Sequence, residues 1–165
     1  PAVKPAAQNH RGEKVAVMAT PLTLHEEKFK QLVKRYENLA TIIPVPCPDL
    51  VEYVEKGILE GPELEGYLKD VLKPCLQEGV KAVVLGCTHF PLVKAAIGKV
   101  VGESVRIYDG GEGTARQAKC LLAAKNLCTD QEKGHICFES SAPEKEAYYE
   151  ALYRKAAHID SRVKL

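Results

Sequence analysis

The order of apolar patterning constrains this chain more than any single residue. Short apolar runs of strand length alternate with amphipathic stretches of helix length almost throughout. The runs at 14–19, 41–45, 81–86 and 105–108 read as strands, each closed by glycine or proline or by a polar turn. Between them, 25–38 carries Phe29, Leu32, Val33 and Tyr36 at the i, i+3, i+4, i+7 spacing of one helix face. Further helices are expected at 49–55, 62–77, 114–127 and 143–157, with one opened by Pro91 and ending near Gly102. A last short strand is expected at 135–139. Strands separated by helices predict right-handed βαβ units, hence an α/β fold with a mostly parallel sheet and helices on both faces. Residues 12–108 hold four of the expected strands and form a complete lobe. Residues 114–165 hold two helices whose apolar residues (Leu121, Leu122, Leu127; Tyr148, Leu152, Tyr153) need cover from elsewhere.

Composition narrows the function. Apolar residues make up 45% of the 165, enough for a core, and no run approaches the ~18–20 apolar residues of a membrane span. Lys and Arg (23) nearly cancel Asp and Glu (22), for a net charge of +1. That balance argues against nucleic acid, whose binding needs a basic excess. The N-terminal stretch lacks the apolar segment of a signal peptide, so a cytoplasmic protein with a small-molecule partner and no membrane partner is expected. The six cysteines form no C-x-x-C pair, and reduced thiols are expected in that compartment. Cys75, Cys120 and Cys128 fall on helix faces and are expected to pack as small hydrophobes.

In parallel sheets, ligands bind beyond the carboxyl ends of the strands. Thr20 and Thr23 follow the first strand, Cys47 the second, Cys87, Thr88 and His89 the third, and Asp109 the fourth. A turn threonine alone reads first as a helix cap. The turn Asp109-Gly-Gly-Glu-Gly-Thr114 lacks the spacing of a dinucleotide loop. Gly86-Cys-Thr-His-Phe-Pro-Leu92 is more specific. Gly86 permits a tight turn, Pro91 opens the next helix, and Cys87 lies between strand and helix N-terminus. That position is expected to lower the thiol pKa, and His89 is placed to exchange a proton with it.

The same segment resembles the second cysteine motif of bacterial glutamate racemases. Val17-Met-Ala-Thr-Pro-Leu-Thr23 resembles that family's Gly-Thr-x-x-Thr turn, and Cys47-Pro-Asp-Leu-Val-Glu-Tyr-Val-Glu55 its Cys-Pro-x-x-Val-x-x-Val-Glu segment. Tyr108-Asp-Gly-Gly, Thr114-Ala-Arg and the stretch from Phe138 to Tyr149 resemble later parts of the family. The resemblance implies interconversion of L- and D-glutamate by two cysteines, with D-glutamate supplied to peptidoglycan. It assigns Cys87 and His89 to proton transfer, Thr20, Thr23 and Thr88 to substrate binding, and Glu55 to support. It implies no metal or pyridoxal cofactor, glutamate as the small-molecule partner, and a homodimer. The histidines, at 10, 25, 89, 135 and 158, offer no metal set. The family's other lobe, with its Asp-Ser-Gly and Ala-Cys-Asn-Thr motifs, has no counterpart here, and His25-Glu-Glu replaces its Ser-Gly. Residues 1–113 are accordingly expected to be the lobe of the second cysteine, and 114–165 part of the other. Such a chain alone is expected to be inactive. A non-catalytic module binding a small acid or a protein is the alternative. A relative acting on aspartate or hydantoins is disfavoured by His89, where such relatives tend to carry Glu.

Overall fold

The computed structural model describes residues 2–129 and 135–160. Four strands, β1 (Lys14–Ala19), β2 (Thr41–Pro46), β3 (Ala82–Leu85) and β4 (Arg106–Tyr108), form one sheet in the order β2-β1-β3-β4. All three pairings are parallel, with Ala19 opposite Pro46, Met18 opposite Leu85 and Val84 opposite Tyr108. The helices are α1 (Val3–Asn9), α2 (Pro21–His25), α3 (Glu27–Tyr36), α4 (Leu50–Glu55), α5 (Pro62–Gln77), α6 (Lys94–Val101), α7 (Gly111–Ala124) and α8 (Glu146–Asp160). The chain divides into two compact units, Pro1–Gln117 and Ala118–Leu165, with the boundary inside α7.

The first unit holds the sheet. β1 and β3 are buried along nearly their whole length, as central parallel strands require. The pleat sends Val15, Val17, Ala82 and Val84 to one face, where they pack with Ala6 and Ala7 of α1 and with Phe29, Leu32 and Tyr36 of α3. Ala16, Met18, Val83 and Leu85 point the other way and are equally buried. The buried stripe Leu64, Leu68, Leu72, Cys75 of α5 and the buried Ile97 of α6 belong to the helices that remain to cover that face.

Three sequence expectations need correction, and one element is additional. The N-terminal residues, for which the sequence predicts no element, form α1. Val3, Ala6 and Ala7 bury one face of it, and Pro5 falls in the first turn, where its missing N–H costs nothing. The helix expected from Pro91 begins as a 3-10 turn, Phe90–Val93, and becomes α-helical only at Lys94. Phe90 and Val93 are both fully buried, and a three-residue turn brings i and i+3 into line. Residues 135–139 form no strand. Among the described residues no strand lies beside them to complete a ladder, and a lone strand leaves its backbone groups unpaired. Cys75 is buried as expected, but Cys120 and Cys128 are exposed: α7 buries none of its residues, and Cys128 lies beyond its end. In the second unit Leu127 N–H closes α7 on the Leu122 carbonyl, with Asn126 in the left-handed region at φ 54°.

Candidate active site

The strand order sets the place. From β1 the chain crosses to β2 on one side, and from β3 to β4 on the other, so connections diverge above the paired carboxyl ends of β1 and β3. A crevice opens at such a reversal. Thr20 follows β1 and Gly86-Cys87 follow β3, so both flank it. Gly86 N–H donates to the Met18 carbonyl (2.8 Å), extending the β1–β3 ladder by one bond. A Cβ on Gly86 would lie 2.7 Å from that same oxygen. Glycine is therefore required here for close approach.

Cys87 is half-buried and begins a line of polar contacts. Its Sγ lies 3.8 Å from Nδ1 of His89, and Nε2 of His89 lies 2.8 Å from Oε1 of Glu55. Both His89 and Glu55 are about a third exposed, so the line stands at the crevice surface. The turn that joins Cys87 to His89 is held by Phe90 N–H on the Cys87 carbonyl (3.2 Å) and Leu92 N–H on the His89 carbonyl (3.1 Å). Phe90 drives its ring into the core at 0% exposure and anchors the whole segment. The local sequence thus alternates a buried anchor with exposed chemistry. With a carboxylate at Nε2, the favoured tautomer carries its proton there and turns the Nδ1 lone pair to the thiol. Sγ of Cys87 and Nδ1 of His89 thus face each other as a donor and an acceptor, with Glu55 behind the ring.

Thr20 and Thr23 meet on the β1 side. Thr20 Oγ1 accepts from Thr23 N–H (3.4 Å) and lies 3.0 Å from Thr23 Oγ1, so Thr20 caps α2 while both hydroxyls stay partly accessible. Thr88 is exposed beside Cys87. The structure thus joins Cys87, His89 and Glu55 by contacts, pairs Thr20 with Thr23, and leaves Thr88 next to Cys87 in the chain.

Cys47 shares this end of the sheet, but it is sealed. Its N–H reaches the Ala19 carbonyl (2.9 Å), its Sγ the Val45 carbonyl (3.5 Å), and no surface is exposed. Burial pushes its thiol up to about 12, so it remains a thiol at neutral pH. Asp109, after β4, accepts from Lys94 Nζ (2.9 Å) and Gly111 N–H (3.0 Å). Burial alone would raise its carboxyl, but these two donors outweigh it and hold the group below the usual range. Sequence reasoning placed Asp109 at this edge without its partner, because nothing at Lys94 marks a contact across fifteen residues. Among the described residues no three His, Cys, Asp or Glu side chains gather to hold a metal ion. No helix among them is long and apolar enough to cross a membrane. Concavities of about 190 Å³ beside Arg11 and Thr41 and about 550 Å³ beside Lys69 and Val100 contain no cysteine or histidine. The Cys87 line stands apart from both.

Residues 1–118 match the Asp/Glu/Hydantoin racemase family. The chain is 42% identical over 146 residues to a glutamate racemase of Clostridium perfringens, covering 88% of this chain and 56% of that protein. It is 47% identical over 133 residues to one from Clostridium kluyveri, covering 81% and 51%. The fold is similar to the crystal structure of Escherichia coli glutamate racemase in complex with L-glutamate and the activator UDP-MurNAc-ala. That likeness has a TM-score of 0.75 at 30% identity and covers 94% of this chain and 59% of the other. The chain spans about half the length of the curated relatives it matches. A match over residues 1–118 takes in the sheet, the crevice and the Cys87 line, and on it the chain belongs to the Asp/Glu/Hydantoin racemase family.

Proposed function

We propose that these residues form one half of a glutamate racemase site, in which Cys87 exchanges the α-proton on one face of glutamate. The observation that carries this reading is the continuous line from Cys87 through His89 to Glu55 at the β1–β3 crevice. As thiolate, Cys87 takes the α-proton and becomes a thiol. In the reverse direction the thiol gives that proton back, and His89 sets the balance by holding or releasing a proton at Nδ1. Glu55 orients the ring. Thr20, Thr23 and Thr88 are assigned to the substrate's carboxylates and ammonium group, since hydroxyls both donate and accept.

Inversion needs an acid on the opposite face. Cys47 is sealed and its thiol pushed up to about 12, so it cannot serve. Our reading places the second thiol outside these 165 residues, with 1–113 as the lobe of Cys87 and 114–165 as part of the other lobe. The exposed Leu121 and Leu122 of α7, and Leu127 just beyond it, support that division. The 165-residue chain alone is then inactive in inversion. The likeness to relatives named glutamate racemases, one described with L-glutamate and UDP-MurNAc-ala, supports glutamate as substrate and D-glutamate for peptidoglycan as the purpose. A cytoplasmic homodimer is the setting we assign. Polarimetry of L-glutamate with the complete product of the gene encoding these residues tests the reading. Racemisation that Cys87→Ser abolishes is expected, and an unchanged optical rotation with the native protein would reject it.

A further inference from the structure

Glu55 can orient His89 only if α4, which carries it, is itself fixed. This helix is six residues long, and its N-cap residue Asp49 makes no side-chain cap bond. A cap from another helix replaces it: Asp49 N–H donates to the hydroxyl of Tyr67 on α5 (3.3 Å). The Tyr67 ring also packs on Tyr53 of α4, with centroids 5.3 Å apart. The other end of α4 is closed by Ile58 N–H on the Tyr53 carbonyl (2.9 Å), across Gly57 at φ 72°. Leu50 and Val54 bury the inner face of α4 at 0% exposure. Tyr67 therefore meets α4 twice, at its Asp49 end and at Tyr53, two residues before Glu55. A displacement of Glu55 by about 0.8 Å is small beside the length of α4, about 9 Å at 1.5 Å per residue. That is enough to lengthen the 2.8 Å contact with His89 beyond hydrogen-bond range.

We propose that Tyr67 is a positioning residue for the Cys87 site, setting Glu55 against His89 through α4 without touching the substrate. The proposal rests on the reading above, in which Glu55 and His89 serve Cys87. Burial pushes the Tyr67 hydroxyl up to about 12, so it stays neutral across the working range. Its oxygen remains free to accept from Asp49.

Site-resolved alkylation of the 165-residue chain by iodoacetamide at neutral pH, read by peptide mass spectrometry, tests this without requiring turnover. Cys120, exposed on α7, is the internal reference. The thiolate is the reacting species, so a looser Glu55–His89 contact slows Cys87 alone. Tyr67→Phe keeps the ring and removes the hydroxyl. Loss of a neutral hydrogen bond of this kind predicts an alkylation rate at Cys87 about two- to threefold lower, with Cys120 unchanged. Glu55→Ala should slow Cys87 further, and adding Tyr67→Phe to Glu55→Ala should then change nothing, because nothing remains to be positioned. If Tyr67→Phe slows Cys87 equally with and without Glu55, its role is general packing and the proposal is overturned. If Glu55→Ala slows Cys87 but Tyr67→Phe does not, the role of Tyr67 alone is wrong. If Glu55→Ala leaves Cys87 unchanged, the roles of both Tyr67 and Glu55 fail.

Discussion

Replacing Gly86 with Ala puts the crevice geometry to a quantitative test. The new Cβ would stand 2.7 Å from the Met18 carbonyl oxygen and 3.3 Å from the Ala19 Cβ. Both belong to the backbone or first side-chain atom of the central strand, so no rotamer change relieves the contact. Reaching even 3.0 Å requires β1 and β3 to part by about 0.3 Å at their carboxyl ends. That movement stretches the 2.8 Å bond from Gly86 N–H to the same oxygen. Overpacking of this kind costs about 1–3 kcal/mol, and loss of the bond adds up to about 1 kcal/mol. At roughly 2–4 °C per kcal/mol for a chain of this size, the melting temperature falls by about 2–16 °C. Urea denaturation followed by circular dichroism gives the free energy, and thermal melting gives the temperature. The sign is fixed because the clash is with a central strand. A variant as stable as the native chain would mean the strands do not approach as described, and the placement of Cys87 would fall with them.

Other expectations concern the surroundings. Phe90→Ala removes the anchor of the Cys87–His89 turn from a fully buried position and should destabilise by about 3–5 kcal/mol in the same urea assay. Asp109 is held below its ordinary value in the folded chain, so its contribution is complete above about pH 4, the unfolded carboxyl range, and fades as pH falls through the lower folded value. Lys94→Met should therefore flatten the acid limb of a stability-against-pH curve; an unchanged limb would show that the pair contributes nothing. Cys47 runs the other way. Its folded value near 12 lies above the ordinary 9.0, so stability should decline as pH rises past about 9, where the unfolded thiol ionises first. Cys47→Ala should remove that alkaline decline, and its persistence in the variant would assign it to other groups.

Much of this architecture was legible because parallel strands buried on both faces must be apolar runs. Lys14–Ala19 and Ala82–Leu85 are such runs, and their parallel sense follows from the helices between the strands. The N-terminal helix was not legible. Its buried face is built of Val3, Ala6 and Ala7, side chains too small to stand out, and Pro5 masks the pattern. The 3-10 turn at Phe90–Val93 depends on both ends of one turn being buried, which only the tertiary structure decides. At the site, Cys87 and His89 were visible as neighbours in the chain. Glu55 was visible only through the family resemblance, since its contact with His89 spans 34 residues. Tyr67 gave no signal, because a tyrosine on an amphipathic helix reads as packing. Cys120 and Cys128 show the opposite error: a helix face apolar enough to bury them does not by itself supply the neighbour that would.

The central claim is that Cys87 moves the α-proton of glutamate with His89 and Glu55 behind it. Glutamate incubated in D2O with the complete product of the gene encoding these residues, and followed by loss of the α-proton signal in NMR, measures that step directly. The account predicts solvent deuterium at the α-carbon with the native protein, abolished by Cys87→Ser. Exchange that persists in Cys87→Ser would contradict it.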